Sequence, residues 1–375
     1  MPLFLFSLLL HAYLGVRLIP ALAAWPVVQM LLGLSLLASM VLMPMGLTAR
    51  RIKSPVLADR VAWTGMVFMG LFSSLFVLTL LRELALLGGW LWLLAQPTAF
   101  SWPVLSAGSA AAVALLGLLM TFFGFFNARR TAAVVRVDVP IAGLPAALHG
   151  FAIAQISDIH VGPTIKRGYL QAIVDVVNQL QVDMVAVTGD LVDGTVADLA
   201  PHVAPLAGLS SVHGTYFVTG NHEYYSGVHA WILELNRLGV RVLMNEHVVL
   251  PHGLVLAGVA DWSAGHFDST HRSDPHAALA GAPAATTVKL LLAHQPRSAV
   301  EAEKAGFDLQ LSGHTHGGQF WPWGFFVRFQ QPFTAGLNRL ENLWIYTSRG
   351  TGYWGPPKRF GAPSEITHLR LVPAQ

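Results

Sequence analysis

The chain has 375 residues, of which 54% are hydrophobic and only 11% charged, with a formal net charge of +3. That is too apolar for one soluble domain and long enough for two or three of ordinary size. The absence of cysteine excludes disulfides, iron–sulfur clusters and thiolate zinc sites. The charge is unevenly divided: residues 1–130 hold eight Lys/Arg against two Asp/Glu, whereas residues 131–375 hold fifteen against eighteen. Basic residues therefore flank apolar runs, and no nucleic-acid surface or nucleic-acid partner is expected.

In chain order, residues 2–23 and 24–46 are each long enough to span a bilayer as a helix, which takes roughly 20 apolar residues. A third run covers 61–81 and a fourth 103–126. The shorter stretch LALLGGWLWLLA (84–95) reads as an extension of the third helix or an interfacial piece. Tryptophans at 25, 63, 90, 92 and 102 stand near the proposed ends, as interfacial aromatics do. The first run lacks a basic leader and three more follow it, so it reads as a span rather than a cleaved signal. Polar residues in this region are few, with His11, Arg17 and Gln29 standing out, which favours a multi-pass anchor over a transporter. Arg50, Arg51, Lys53 and Arg60 flank one loop, and Arg129, Arg130 and Arg136 follow the fourth run. With four spans both groups fall on one side. The positive-inside rule then predicts a multi-pass inner (cell) membrane protein with residues 131–375 in the cytoplasm.

Residues 127–148 read as a linker plus a first edge strand. From 149 onward the pattern is short apolar runs between polar loops: 150–157, 184–189, 215–220, 253–260, 288–293, 307–313 and 343–348 are predicted strands. Helical stretches lie at 169–180 and 229–239. Strands alternating with helices predict an α/β or α+β layered domain over 149–375.

The loops after these strands are chemically unusual. They carry Asp158-Ile159-His160, then Gly189-Asp190-Leu191-Val192-Asp193, Gly220-Asn221-His222-Glu223, His294, and Gly313-His314-Thr315-His316. Fifteen of the sixteen histidines lie after residue 148. Any one of these motifs is also compatible with a hydrogen-bonded core residue. Five in order, each at the end of a strand, point to one site, because open α/β sheets place ligands at strand C-terminal ends. His314 and His316, one residue apart among glycines, read as ligands to two neighbouring ions. In an extended segment they would lie on the same side, and the glycines permit close approach.

In order, the five motifs resemble the signature of the calcineurin-like metallophosphoesterases: D-x-H, G-D-x-x-D, G-N-H-E/D, H and G-H-x-H. The resemblance covers roughly residues 149–372. HGFAIAQISDIHVGP (149–163), the GGQ after His316 and SRGTGYWGPPKRFGAPSEI (348–366) are similar to a membrane-associated bacterial branch of that family. It implies two sheets flanked by helices and two adjacent divalent ions. Asp158, His160 and His316 would hold the first ion, Asn221, His294 and His314 the second, and Asp190 would bridge both. His222 would protonate the leaving oxygen, Glu223 would orient it, and Asp193 would stand behind the ligands. The chemistry agrees, since two divalent ions can neutralise the non-bridging oxygens of a phosphoester and acidify bound water. The mixed nitrogen and oxygen donors suit Mn²⁺ first, with Fe²⁺ or Zn²⁺ as alternatives, and would be unusual for Ca²⁺.

Two features bear on substrate. FWPWGFFVRFQQPF (320–333) is either packed beneath a loop or an exposed apolar patch touching bilayer or lipid. Arg349, Lys358 and Arg359 are either a phosphate-binding rim or solvated charges. The expected function is a membrane-anchored phosphodiesterase or pyrophosphatase acting on a lipid-linked phosphate, with UDP-2,3-diacylglucosamine one candidate. The alternatives are a broad phosphatase on soluble phosphomonoesters and a catalytically silent membrane sensor.

Overall fold

A computed structural model describes residues 2–374. The chain forms two compact units. The first comprises the residues up to Asn127 together with Gly355–Phe360; the second comprises Ala128–Trp354 together with the residues from Gly361.

The first unit contains four long helices, α1 (Pro2–Leu18), α2 (Pro26–Leu47), α3 (Pro55–Ala95) and α4 (Trp102–Arg129). All four are long and apolar enough to cross a membrane. Pro26 and Pro55 open their helices, where a missing N–H costs nothing. The stretch 84–95 simply continues the third helix, giving 41 residues and a length of about 60 Å. Leu14, Leu18, Leu36, Phe72, Leu75 and Val113 pack inside, while Leu5, Leu9, Leu31, Leu84 and Leu118 face outward. Helices apolar on every side are what a bilayer requires. The polar residues are satisfied internally: His11 Nε2 bonds Ser39 Oγ at 2.8 Å, Gln29 Nε2 donates to Ile19 O at 2.9 Å, and Arg17 pairs with Glu83. That pattern fits an anchor.

The second unit is a four-layer sandwich of helix, sheet, sheet and helix. Its strands are β1 (Ala133–Ile141), β2 (Ala152–Ile156), β3 (Met184–Val187), β4 (Thr215–Phe217), β5 (Val240–Val242), β6 (Glu246–Val249), β7 (Leu254–Gly258), β8 (Val288–Leu292), β9 (Leu309–Ser312), β10 (Gly336–Leu340), β11 (Leu343–Thr347) and β12 (Glu365–Pro373). One sheet has the order β1-β12-β2-β3-β4-β5 and the other β10-β11-β9-β8-β7-β6. Strands β2 to β5 are mutually parallel, as are β7, β8, β9 and β11. Alternation along each strand sorts side chains between layers. In β3, Met184 and Ala186 face the opposite sheet, whereas Val185 and Val187 face the helices. Those helices are α5 (Arg167–Gln179), α6 (Val196–Val203), α7 (Asn221–Ser226) and α8 (Val228–Arg237), with α9 (Pro275–Leu279) and α10 (Ala299–Ala305) on the other side. Ile173, Val177, Trp231 and Leu235 fill the first helix layer. Between the sheets, buried Gln155 donates to Thr188 Oγ1 and to Ser312 O, both at 2.9 Å, tying the two sheets together near one end.

All seven strands expected from the apolar runs are present. Strands β5, β6, β10 and β12 are additional, and β1 lies at the edge of its sheet.

The hexapeptide Gly355–Phe360, which lies in sequence between β11 and β12, packs with the helices of the first unit. Lys358 Nζ donates to Gly70 O at 2.9 Å and bonds Ser74 Oγ, and the Arg359 N–H donates to Gly124 O at 2.8 Å. Lys358 and Arg359 are buried. They are neither of the things their charges suggested, a phosphate rim or solvated side chains. Gly124 makes room for the lysine stem, since a Cβ there would come within 2.6 Å of Lys358 Cγ. Gly124→Val should therefore destabilise the full chain by about 1–3 kcal/mol through overpacking. Gly108→Val, on the same helix with nothing within 4 Å of the new Cβ, should not. Thermal unfolding in detergent micelles compares the two, and equal midpoints would refute the packing assigned to the hexapeptide.

Candidate metal centre

The parallel strands β2, β3 and β4 of one sheet and β8 and β9 of the other end close together, and the five motif loops begin at those ends. The backbone there is uncommon. Asp158, His160, Asp190, His314 and His316 all adopt the left-handed region, with φ of 52°, 57°, 51°, 70° and 52°. For residues with a Cβ this costs roughly 1–2 kcal/mol each, and such strain concentrates at functional sites. The Asp158/His160 and His314/His316 pairs are thus not strand-like. Each pair alternates with a residue of ordinary φ, and this turns both side chains inward. Gly313 fills a gap that no side chain could, because its Cβ would collide with Ser157 Oγ and Asp158 Oδ2.

The side chains form two adjoining groups. In the first, Asp158, His160 and His316 bring one ligand atom each to within 4.8 Å of the others. His160 Nε2 and His316 Nε2 stand 3.1 Å apart, and His316 Nε2 is 3.5 Å from Asp158 Oδ1. In the second group are Asp190, His294 and His314. His294 Nε2 lies 3.1 Å from Asp190 Oδ2 and 3.2 Å from His314 Nδ1. Asp190 Oδ2 is also 4.0 Å from His160 Nε2, so it stands between the groups. His314 and His316 accordingly diverge, one into each. The Asp158 carboxylate is held in place by the His314 N–H, at 2.9 and 3.1 Å from its two oxygens. His294 donates Nδ1–H to Thr188 O at 2.7 Å, which leaves Nε2 as the free donor atom.

These residues fit a pair of divalent ions. Asn221 Oδ1 is buried and has no hydrogen-bond partner, although buried polar atoms are nearly always paired. Facing ring nitrogens at 3.1–3.2 Å also need either a proton or a shared cation between their lone pairs. The electrostatics point the same way. Burial would raise Asp190, but the charge and hydrogen bond of His294 outweigh it and hold the carboxyl well below its usual range. Burial would lower His294, yet Asp190 and Asp158 hold it well above. His314 is pushed down to about 3 by burial and by His294, leaving a neutral imidazole. Positive charge is favoured at this spot, and neutral donors surround it.

His222 stands over the first group, its ring 4.7 Å from that of His160 and its Nε2 4.0 Å from Asp190 Oδ2. Its Nδ1 donates to Asp193 Oδ1 at 2.5 Å, and the same oxygen lies 3.3 Å from His160 Nδ1. Burial alone would lower His222, but Asp193 and Asp190 raise it to about 9. The orienting role expected of Glu223 therefore falls to Asp193. The Glu223 carboxylate instead accepts from the backbone N–H groups of Gly220 (2.7 Å), Asp190 (3.0 Å), Leu191 (2.8 Å) and Val192 (3.3 Å). Two aromatic residues without an expected role flank His222: Tyr225 at 5.2 Å and Trp354 at 5.5 Å between ring centres. Trp354 belongs to the 348–366 stretch, but a tryptophan in a loop carries no signal of its position. Arg349 does not line a free rim, since its guanidinium pairs with buried Glu365 at 2.9 Å.

This division of labour is testable. Asp193→Ala should lower kcat about 10–100-fold, as removal of a group behind a metal ligand typically does, while leaving the fold intact. Glu223→Ala should instead destabilise the protein by at least about 2–3 kcal/mol, because it orphans buried N–H donors. Thermal unfolding and turnover measured on both variants decide the matter; the reverse pattern would refute it.

Comparison with known proteins agrees with the geometry. The sequence profile described as calcineurin-like phosphoesterase matches residues 151–318, from the start of β2 to the glycines after His316. The chain is 38% identical over 271 residues to a Danio rerio protein named transmembrane protein with metallophosphoesterase domain, covering 69% of this chain and 62% of that one. It thus spans less than two thirds of that relative's length. A Campylobacter jejuni protein named an uncharacterized metallophosphoesterase is 36% identical over 261 residues, 68% of each chain. One of the same name from Aquifex aeolicus is 34% identical over 221 residues, 58% of this chain and 84% of that one. The chain belongs to the calcineurin-like metallophosphoesterase family.

Proposed function

We propose that this protein is a membrane-anchored, dinuclear-metal phosphoesterase that hydrolyses a phosphodiester or pyrophosphate bond on a lipid-linked substrate. The four apolar helices and the basic residues flanking them support an inner-membrane protein whose second unit is cytoplasmic. Asp158, His160 and His316 would hold one divalent ion, and Asn221, His294 and His314 the other, with Asp190 between them. Mn²⁺ is the first choice for this donor set, and Fe²⁺ or Zn²⁺ would also suit it. Bound there, such ions supply charge neutralisation for the phosphoryl oxygens and an acidified water. The protein's own part is positional. Asp193 fixes the His222 ring through Nδ1, which leaves Nε2 turned towards Asp190. From Nε2 a proton passes to the departing oxygen as its bond to phosphorus breaks. Tyr225 and Trp354 pack edge-on against the ring.

The lipid-linked reading rests on one observation, an aromatic crest that begins a few residues after His316. Phe320 is buried, but Trp323, Phe325, Phe326 and Phe329 are 42%, 57%, 54% and 80% exposed. Three of these rings adjoin in tilted contacts, Trp323 against Phe326 at 5.9 Å and Phe326 against Phe329 at 6.5 Å. A contiguous apolar patch of this kind on a soluble face marks an interaction surface. In a chain that also carries four apolar helices, a lipid surface is the fitting partner.

Two measurements on the full chain in detergent test the proposal. Hydrolysis of bis(p-nitrophenyl) phosphate should vanish on chelation, return with Mn²⁺, and be absent in His316→Ala. His222→Ala should keep its metal and lose roughly 10²–10⁴-fold in rate. Turnover that survives chelation, or full activity in His316→Ala, would sink the metal assignment. The combined Phe325→Ser, Phe326→Ser and Phe329→Ser variant should keep its rate on the soluble diester and lose about tenfold on a phosphodiester presented in vesicles. An unchanged rate on both would favour soluble phosphoesters instead.

A further inference from the structure

A second set of donor groups lies in the segment between β7 and β8, outside the centre described above. From Asp261 to Pro275 this segment has only short turns of helix, Ala264–His266 and Ser269–His271, before α9. Asp268 and His271 stand beside His229 of α8, and one ligand atom from each of the three lies within 4.8 Å of the other two.

The geometry is specific. His229 Nε2 is 3.3 Å from Asp268 Oδ2. Two ligands of a tetrahedral Zn²⁺ with bonds of about 2.0–2.1 Å sit about 3.3–3.4 Å apart, so this edge already has the right length. Asp268 is oriented by its other oxygen: Oδ1 accepts from Thr270 N at 2.9 Å and Thr270 Oγ1 at 2.6 Å. His271 is oriented through Nδ1, which pairs with the Tyr224 hydroxyl at 3.0 Å and leaves Nε2 as its ligating atom. Outer partners of this kind fix metal-binding imidazoles and carboxylates. An ion pair accounts for His229 with Asp268, but it leaves His271 unexplained, with its ring centre 5.1 Å from that of His229. A divalent cation satisfies all three groups together.

We propose that His229, Asp268 and His271 form a third, mononuclear divalent-metal site, of the type Zn²⁺ takes with two imidazoles, one carboxylate and a water. The His229 side chain is 71% exposed, so the fourth position opens to solvent. The site is linked to the rim of the catalytic centre through aromatic rings. Phe267, next to Asp268, lies 5.6 Å from Tyr224 and 5.5 Å from Tyr225, and Tyr225 packs against His222. A metal here would pin an otherwise loosely built segment against that wall.

The test is metal content per chain. The full protein, His229→Ala and His271→Ala are equilibrated with Zn²⁺ in detergent, desalted, and measured by plasma mass spectrometry. Each variant should hold one Zn²⁺ per chain fewer than the unaltered protein. His229 is largely solvent-exposed, so its truncation leaves the core untouched. Retained hydrolysis of bis(p-nitrophenyl) phosphate shows in addition that the dinuclear centre is intact. The one-equivalent difference supports the third site even if no hydrolysis is seen, so the two readings fail separately. Equal Zn²⁺ content in the unaltered protein and His229→Ala overturns the proposal, whatever His271→Ala shows.

Discussion

One buried carboxylate sets the geometry of the metal centre. Glu223 sits three residues past Gly220 at the start of α7, and its two oxygens accept four backbone N–H groups. One of these belongs to its own helix start, a back-bond of the kind a capping box makes. The other three belong to the loop after β3. The clamp joins the loop that carries Asp190 to the loop that carries Asn221 and His222. Without it, several N–H groups would be buried and unpaired, at about 1–3 kcal/mol each. Aspartate at this position would be a methylene shorter. Burial and the Asp190 charge push Glu223 up to about 8 even as these N–H groups pull it down.

The left-handed residues add a second constraint. Five candidate ligands hold an unfavourable φ, and the close approach at Gly313, the Glu223 bond to Asp190 N–H and the His314 N–H bond to Asp158 brace the loops that carry them. Divalent cations held there would ease the crowding of ring-nitrogen lone pairs. Metal binding would then be linked to local folding at this site. The rigid sandwich beneath them, dry between its sheets except for groups such as Gln155, is what allows the strain to persist.

Much of this was legible in the sequence. The seven apolar runs became strands because each is short and bounded by Gly or polar residues. The five motifs stand out because carboxylates and imidazoles at successive strand ends have little reason to be there for packing. What stayed hidden has physical causes. Strand β12 alternates from Thr367 onward, with Thr367, Leu369 and Leu371 buried and His368 and Arg370 more exposed, but its polar positions disguise it. Asp and His are enriched in the left-handed region, but that preference is too weak to mark which of them adopt it, and the loop's tertiary contacts decide. Glu223 and Asp193 both read as partners for His222, and only distance separates them. Lys358 and Arg359 resemble surface charges because their partners, the Gly70 carbonyl, Ser74 and the Gly124 carbonyl, are more than 200 residues away in sequence.

The hexapeptide that carries those two residues has a further consequence. The helical unit is not one continuous stretch of chain; its last piece is inserted between two strands of the other unit. Recombination at a single crossover near residue 127 would therefore exchange an incomplete module, leaving Gly124 facing a foreign loop and Lys358 with no slot. An evolutionary swap of anchors would have to carry Gly355–Phe360 along or replace it in step. The segment begins at the residue after Trp354, so the lineage of the helical unit and that of the candidate metal centre's rim are written into adjacent codons.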